Sequence, residues 1–199
     1  LLCFSGLFLL GGCREPTQIT VKILSDAPCG GLRGVLVAAS SPEAIDSSLP
    51  SSEAHDCRPD GRGGSEWGSL VLVPSSDDRG AQVGIRVVAG VDVDANECSD
   101  AKKAAGCIVA KRALRYIEHE PLTVVVDLRQ DCQGVSCEGL NTCLNRGCVS
   151  AQMDPGQCKG AGCGQNNLPP STGGQGGAGG GASGGGGTAG AGAGGVGGA

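Results

Sequence analysis

The chain has 199 residues, with 12 Cys, 38 Gly, one Trp, one Tyr, two Phe, two His and a formal charge of −5. This length allows one domain with appendages. No basic run is available to track a phosphate backbone, which argues against nucleic acid as a partner. Two His leave little for His-based catalysis or a His-rich metal site, and no cofactor is implied. The cysteine density points to an oxidising compartment.

In chain order, residues 1–12 read LLCFSGLFLLGG, an uncharged apolar run. It is too short to span a bilayer and has the length of a signal-peptide core. It runs into Leu10-Gly11-Gly12-Cys13, which resembles the bacterial lipobox. That resemblance implies that Cys13 becomes the acylated N-terminus. Arg14 follows it, where Asp would signal inner-membrane retention, so the resemblance implies the outer membrane. The run starts at Leu1 without Met or basic residues, as a truncated leader would. A plain secretory signal cut nearby, leaving Cys13 to pair, is the alternative. Acyl chains contribute about 0.8 kcal/mol per buried CH2, so membrane attachment needs no transmembrane helix.

Residues 13–130 carry the apolar patterning of strands. In 17–24, Ile19, Val21 and Ile23 alternate with Gln18, Thr20 and Lys22. In 83–91 the alternating set is Val83, Ile85, Val87, Ala89 and Val91, and in 122–128 it is Leu122, Val124, Val126 and Leu128. Period-two alternation marks half-buried strands. The runs 32–39 and 69–73 are apolar apart from Arg33 and Ser69, as in strands buried on both faces. Residues 107–117 fit a strand or a short helix, and the β-branched residues and neighbouring strands favour a strand. The polar stretch 40–66 is too long for a hairpin and reads as an excursion. Asp77-Asp78, after Ser75-Ser76, reads as a hairpin turn. The expected fold is mainly β: a small disulfide-linked β-sandwich, immunoglobulin-like, with a thin core of Val, Leu, Ile and Ala.

A Cys-rich module of 131–167 follows, and then a linker and tail of 168–199. Within 173–199, 17 of the 27 residues are Gly. Such a composition cannot bury apolar area and is expected to be a disordered coil with a mean reach of roughly 30 Å. It would suit a spacer to a further domain. Leu168-Pro169-Pro170-Ser171-Thr172-Gly173 is one residue longer than an LPxTG sorting signal and reads as linker.

With Cys3 in the leader and Cys13 at the lipid site, ten cysteines remain, an even number as in a fully oxidised secreted protein. Sequence proximity suggests Cys29 with Cys57, Cys98 with Cys107, and Cys158 with Cys163. The stretch CQGVSCEGLNTCLNRGCV resembles the short EGF-like modules that form stalks in secreted proteins. That resemblance implies Cys132 with Cys143 and Cys137 with Cys148, although sequence alone leaves connectivity open. No C-x2-C hook supports zinc or thioredoxin-type chemistry.

Asp92-x-Asp94-x-Asn96 begins like a calcium loop, but Glu97 stands where Gly is needed and Lys103 where Glu is needed. It is a weak calcium candidate beside the reading of a solvated acidic turn. Lys111, Arg112 and Arg115 form either a partner-facing basic patch or the solvent side of one element. His55 and His119 lie among polar residues and read as surface residues. No nucleophile elbow, zinc-protease pair or phosphate loop occurs.

The strings GSLVLVPS, VGIRVVAGV, GCIVAKRALRYIEH and CQGVSCEGLNTCLNRGCV together resemble secreted lipoproteins typical of myxobacteria. These run lipobox, β-rich domain, Cys-rich module and Gly-rich linker. The resemblance implies a surface location and brings no activity with it. The expectation is a non-enzymatic, lipid-anchored envelope protein that displays a rigid β domain. A binding or adhesion module for a glycan or protein, near 40–66 or Lys111–Arg115, is the alternative. An envelope hydrolase relying on His55 or His119 ranks third.

Overall fold

A computed structural model of the chain describes residues 14–75, 78–99 and 104–170. The leader 1–12, Cys13, Ser76, Asp77, Lys103 and the Gly-rich tail from Ser171 onward lie outside the described residues.

Alternation places the core. In β1 (Gln18–Ser25), Ile19, Val21 and Ile23 point inward while Lys22 is exposed. In β6 (Gln82–Gly90) the inward set is Val83, Ile85, Val87 and Ala89, and in β8 (Pro121–Leu128) it is Leu122, Val124, Val126 and Leu128. The other strands are β2 (Val35–Ser40), β3 (Ser52–Ala54), β4 (Arg58–Pro59), β5 (Ser65–Leu72), β7 (Cys107–Arg115), β9 (Asn141–Leu144) and β10 (Gly147–Ser150). Short 3-10 turns are the only helical elements among the described residues, which contain no α-helix. No helix among them is long and apolar enough to cross a membrane.

Two four-stranded sheets, ordered β4-β5-β1-β8 and β3-β2-β6-β7, share one hydrophobic core and form the expected sandwich. β2–β3, β4–β5 and β6–β7 are neighbours within a sheet, whereas every other connection up to β8 crosses between sheets. The β5–β6 connection is one of these crossings, so the segment containing Asp78 is not the hairpin turn expected there. Sheet order matches the immunoglobulin arrangement, with β1, β5 and β4 standing as strands B, E and D, and β2, β6 and β7 as C, F and G. β8 takes the place beside B and runs parallel to β1, from Gln18 opposite Pro121 to Ser25 opposite Leu128.

β5 changes its inward parity part-way. Ser65 and Trp67 are buried, yet Leu70 and Leu72 are the later residues that pack against the core. The cause is a bulge: Ile23 faces Gly68 and Leu24 faces Glu66, which leaves Trp67 as the extra residue. Gly68 adopts a φ of 109°, which a residue with a Cβ rarely reaches.

The Cys-rich segment is built onto the sandwich. Gln152 bridges to Ala113 of β7, with Ala113 N–H donating to Ala151 O at 2.9 Å and Met153 N–H donating to Ala113 O at 2.8 Å. On the other sheet, Val125 N–H donates to Cys163 O at 2.7 Å and Cys163 N–H donates to Thr123 O at 3.0 Å. One segment therefore closes an edge of each sheet, satisfying backbone groups that edge strands leave open. Cys132, Cys143, Val149, Met153, Cys158, Cys163 and Leu168 join the same core as β1 and β6.

Candidate functional site

The outer face of the β3-β2-β6-β7 sheet carries three cross-strand rows. Pairing registers place Ser40, Gly84 and Ala113 in one row, Ala38, Arg86 and Lys111 in the next, and Leu36, Val88 and Val109 in the third. The loop after β2 folds across the first two. Gly84 makes this possible, because a Cβ there would lie 3.1 Å from Pro42 Cα and 3.2 Å from Ile45 Cβ. Ile45 is buried against this face, which stations Asp46 and Ser48 above the cationic row.

The two cations hold the loop in different ways. Arg86 donates through Nη1 to Asp46 O at 2.9 Å and through Nη2 to Ser48 O at 2.8 Å, while its buried Nε meets no acceptor. Lys111 reaches the Asp46 carboxylate and also donates through Nζ to Cys137 O at 2.9 Å and Gly139 O at 2.7 Å. Lys111 thus ties the sheet, the loop and the Cys-rich segment at one ammonium group.

Beyond this tie the third row is only partly covered: Leu36 is buried, and Val88 and Val109 are half-buried. Leu36, Val88 and Val109 floor a groove of about 440 Å³, with 46–50 on one wall and Ala95–Ser99 on the other. Leu49 stands on its rim 85% exposed. An aliphatic floor, backbone carbonyls and one guanidinium suit apolar side chains of a ligand with a few polar contacts. A second, polar cleft of about 510 Å³ lies between Asp26, Asp60, Asp127, Arg62 and Arg129 and the turn Gln165–Asn167.

The basic residues read from the sequence as a patch or solvent side are a correction. Lys111 and Arg112 are buried, and only Arg115 is exposed. Arg112 follows the inward parity of Ala110 and Leu114. It donates through Nη1 to Lys111 O at 2.7 Å, with Thr142 Oγ1 at 3.4 Å, and its Nε is unpaired. Burial pulls its guanidinium down to about 10, against a smaller opposing pull from Asp127. Both residues bond to the Cys-rich segment, Lys111 at Cys137 and Gly139 and Arg112 at Thr142, and the docking of that segment has no local signature in β7.

The calcium candidates turn to different partners. Asp92 Oδ2 accepts from Gln133 Nε2 at 3.0 Å. Asp94 Oδ1 accepts from Asn96 N at 2.9 Å and from Asn96 Nδ2 at 3.0 Å. Those two bonds, the backbone one first, hold the Asp94 carboxyl below its ordinary 3.8. Asn96 also donates to Glu53 Oε1 at 2.8 Å. No group of three or more His, Cys, Asp or Glu side chains gathers in metal-binding geometry among the described residues.

His55 Nε2 lies 3.1 Å from Glu53, and His119 Nε2 lies 3.3 Å from Glu118 and 3.2 Å from Arg14 Nη1. Neither imidazole meets a Ser, Thr or Cys side chain among the described residues. His119 has a φ of 58°, and its backbone N–H donates to Thr17 Oγ1 at 2.8 Å, which marks it as a turn residue.

The structure brings the cysteines together as Cys29–Cys57, Cys98–Cys107, Cys132–Cys143, Cys137–Cys148 and Cys158–Cys163. The first ties the approach to β2 to the start of β4, beside Trp67. The second joins the Ala95–Ser99 wall to β7. Sequence reasoning missed Arg86 and the row Leu36, Val88 and Val109. Their signal was the alternation of β6, whose off-core positions hold Arg86 and Val88. Compared with protein-family models, with curated proteins and with solved structures, the chain matches none.

Proposed function

We propose that this is a lipid-anchored protein of the cell envelope, held by acyl chains on Cys13 and displaying a disulfide-framed β-sandwich. The observation that supports this best is the bridging of all ten cysteines from Cys29 to Cys163. Five bridges suit an oxidising compartment. They account for every cysteine among the described residues. The protein's work in this reading is presentation, and the tied loop and the closed sheet edges make the presented surface rigid.

Mass spectrometry of protein taken from membranes tests it, first intact and then as non-reduced peptides. The expected result is a diacylglyceryl-plus-acyl adduct on Cys13 and ten paired cysteines. An unmodified Cys13, or free thiols among the ten, would overturn the reading.

A second reading makes the groove over Leu36, Val88 and Val109 a binding site. Its aliphatic floor favours the apolar side chains of a protein over a glycan, since no aromatic ring lies there for a sugar to stack on. Leu49→Asp is then expected to abolish saturable binding of envelope proteins while leaving Trp67 emission unchanged. Equal binding by variant and wild type would sink this reading.

A further inference from the structure

Three of the four sheet edges are blunted or closed, and one is not. Chain segments around 152 and 163 each bridge once to β7 and β8, at Ala113 and Val124, and the three-residue β3 covers Val35–Val37 of β2. On β5, β4 pairs only with Ser65 and Glu66. From Ser69 to Val73 the outer edge of this strand has no partner among the described residues. The stretch is bounded by the bulge at Trp67–Gly68 and by Pro74.

Burial along this edge disagrees with its composition. Leu70-Val71-Leu72-Val73 is apolar on both faces, the pattern of a strand covered on both sides. Here Leu70 and Leu72 are half-buried, while Val71 is 54% and Val73 68% exposed. They are two of the three large apolar residues that stand exposed among the described residues. None of the usual edge protections, a charge, a proline or a bulge, lies inside 69–73.

We propose that Ser69–Val73 is a docking edge for the same edge of a second copy, antiparallel, about a two-fold axis through Val71. That axis sets Val71 against Val71, Leu70 against Leu72 and Ser69 against Val73 of the other copy. Each exposed valine gains a neighbour, and the half-buried leucines are covered from the side. The stretch carries no charge, so no like charges meet across the axis. The same stretch supplies both halves, as an isologous contact requires. Thr20 lies level with Val71 and Gln18 two residues along β1, so the β1 strands of both copies start near the axis. Five residues a side make a small, reversible interface, below the size of a permanent one.

Cysteine scanning of the full chain in the membrane tests this. Directly opposed residues of an antiparallel pair lie within disulfide reach, with Cα atoms about 4.5–5.5 Å apart. Val71→Cys alone is expected to convert most of the protein to a disulfide-linked dimer band that collapses on adding thiol. Ser69→Cys and Val73→Cys are each expected to remain monomeric alone and to cross-link when co-expressed. Val71→Lys is expected to remove the dimer seen by sedimentation of the wild type, with Trp67 emission reporting that the variant is folded. A Val71→Cys band at the mass of a different protein would overturn the proposal in favour of a foreign strand. Folded, monomeric Val71→Cys would overturn it outright, as would equal cross-linking at all three positions.

Discussion

Replacing Lys111 by Met keeps the aliphatic stem and removes the ammonium group. Two main-chain carbonyls, Cys137 O and Gly139 O, lose their charged donor, and the Asp46 carboxylate loses its ion pair. The carboxylate is 49% exposed and is rehydrated at little cost, so Asp46→Ala is expected to cost about 1 kcal/mol or less. The Lys111 side chain is only 5% exposed, and its two bonds to carbonyls are of the charge-assisted kind. Their joint loss is expected to cost about 2–4 kcal/mol. Urea unfolding followed by Trp67, the only tryptophan of the chain, reads this difference. With a slope of roughly 1–2 kcal/mol per molar, the Lys111→Met midpoint falls by about 1–4 M and that of Asp46→Ala by under about 1 M. If Asp46→Ala costs as much as Lys111→Met, the ion pair and not the carbonyl tie holds the loop. If Lys111→Met unfolds at the wild-type midpoint, the three-way tie contributes nothing.

Arg112 is buried with one nitrogen unpaired, and burial has lowered its guanidinium to about 10. Arg112→Met is expected to leave stability unchanged or raise it by about 1–3 kcal/mol, while Arg112→Ala loses about 2 kcal/mol or more to the cavity. Thermal melting of both variants checks this, and equal losses would refute it. Tyr116, the only tyrosine, has its phenol raised above 10 by burial. Its ultraviolet titration is expected to have a midpoint above 10 in the folded protein and near 10 in urea. Between those two values the unfolded phenol has lost its proton and the folded one has kept it. Stability therefore falls as pH rises through that interval, and a rise traceable to Tyr116 would contradict the assignment.

Strands that alternate were legible because alternation is a local consequence of one buried face. β1 and β8 show it, with bounds within a residue or so of those read from 17–24 and 122–128. Their parallel pairing was not legible, since nothing in either strand encodes its neighbour. β7 was read as a strand, yet Lys111 and Arg112 were read as solvent-facing. Charge suggested an outer surface, and the cover comes from Cys137, Gly139 and Thr142, some 30 residues away in the chain. The stretch 40–66 lacks an apolar period, so its role as a strap over Gly84 and Arg86 was hidden. The site was legible only as a neighbourhood: the loop was singled out, while the floor beneath it comes from three strands that meet only in the sheet.

The parallel pairing of β1 and β8 also gives the domain a direction. Gln18, five residues past Cys13, begins β1 at one end, and Ser25 ends it at the other, about 23 Å away. The turn Gln165–Asn167 lies beside Ser25 and Asp127, at that far end. The chain therefore enters at one pole and leaves the described fold near the opposite one. A domain wired in this way acts as a rigid strut, carrying whatever follows Pro170 away from whatever holds Cys13.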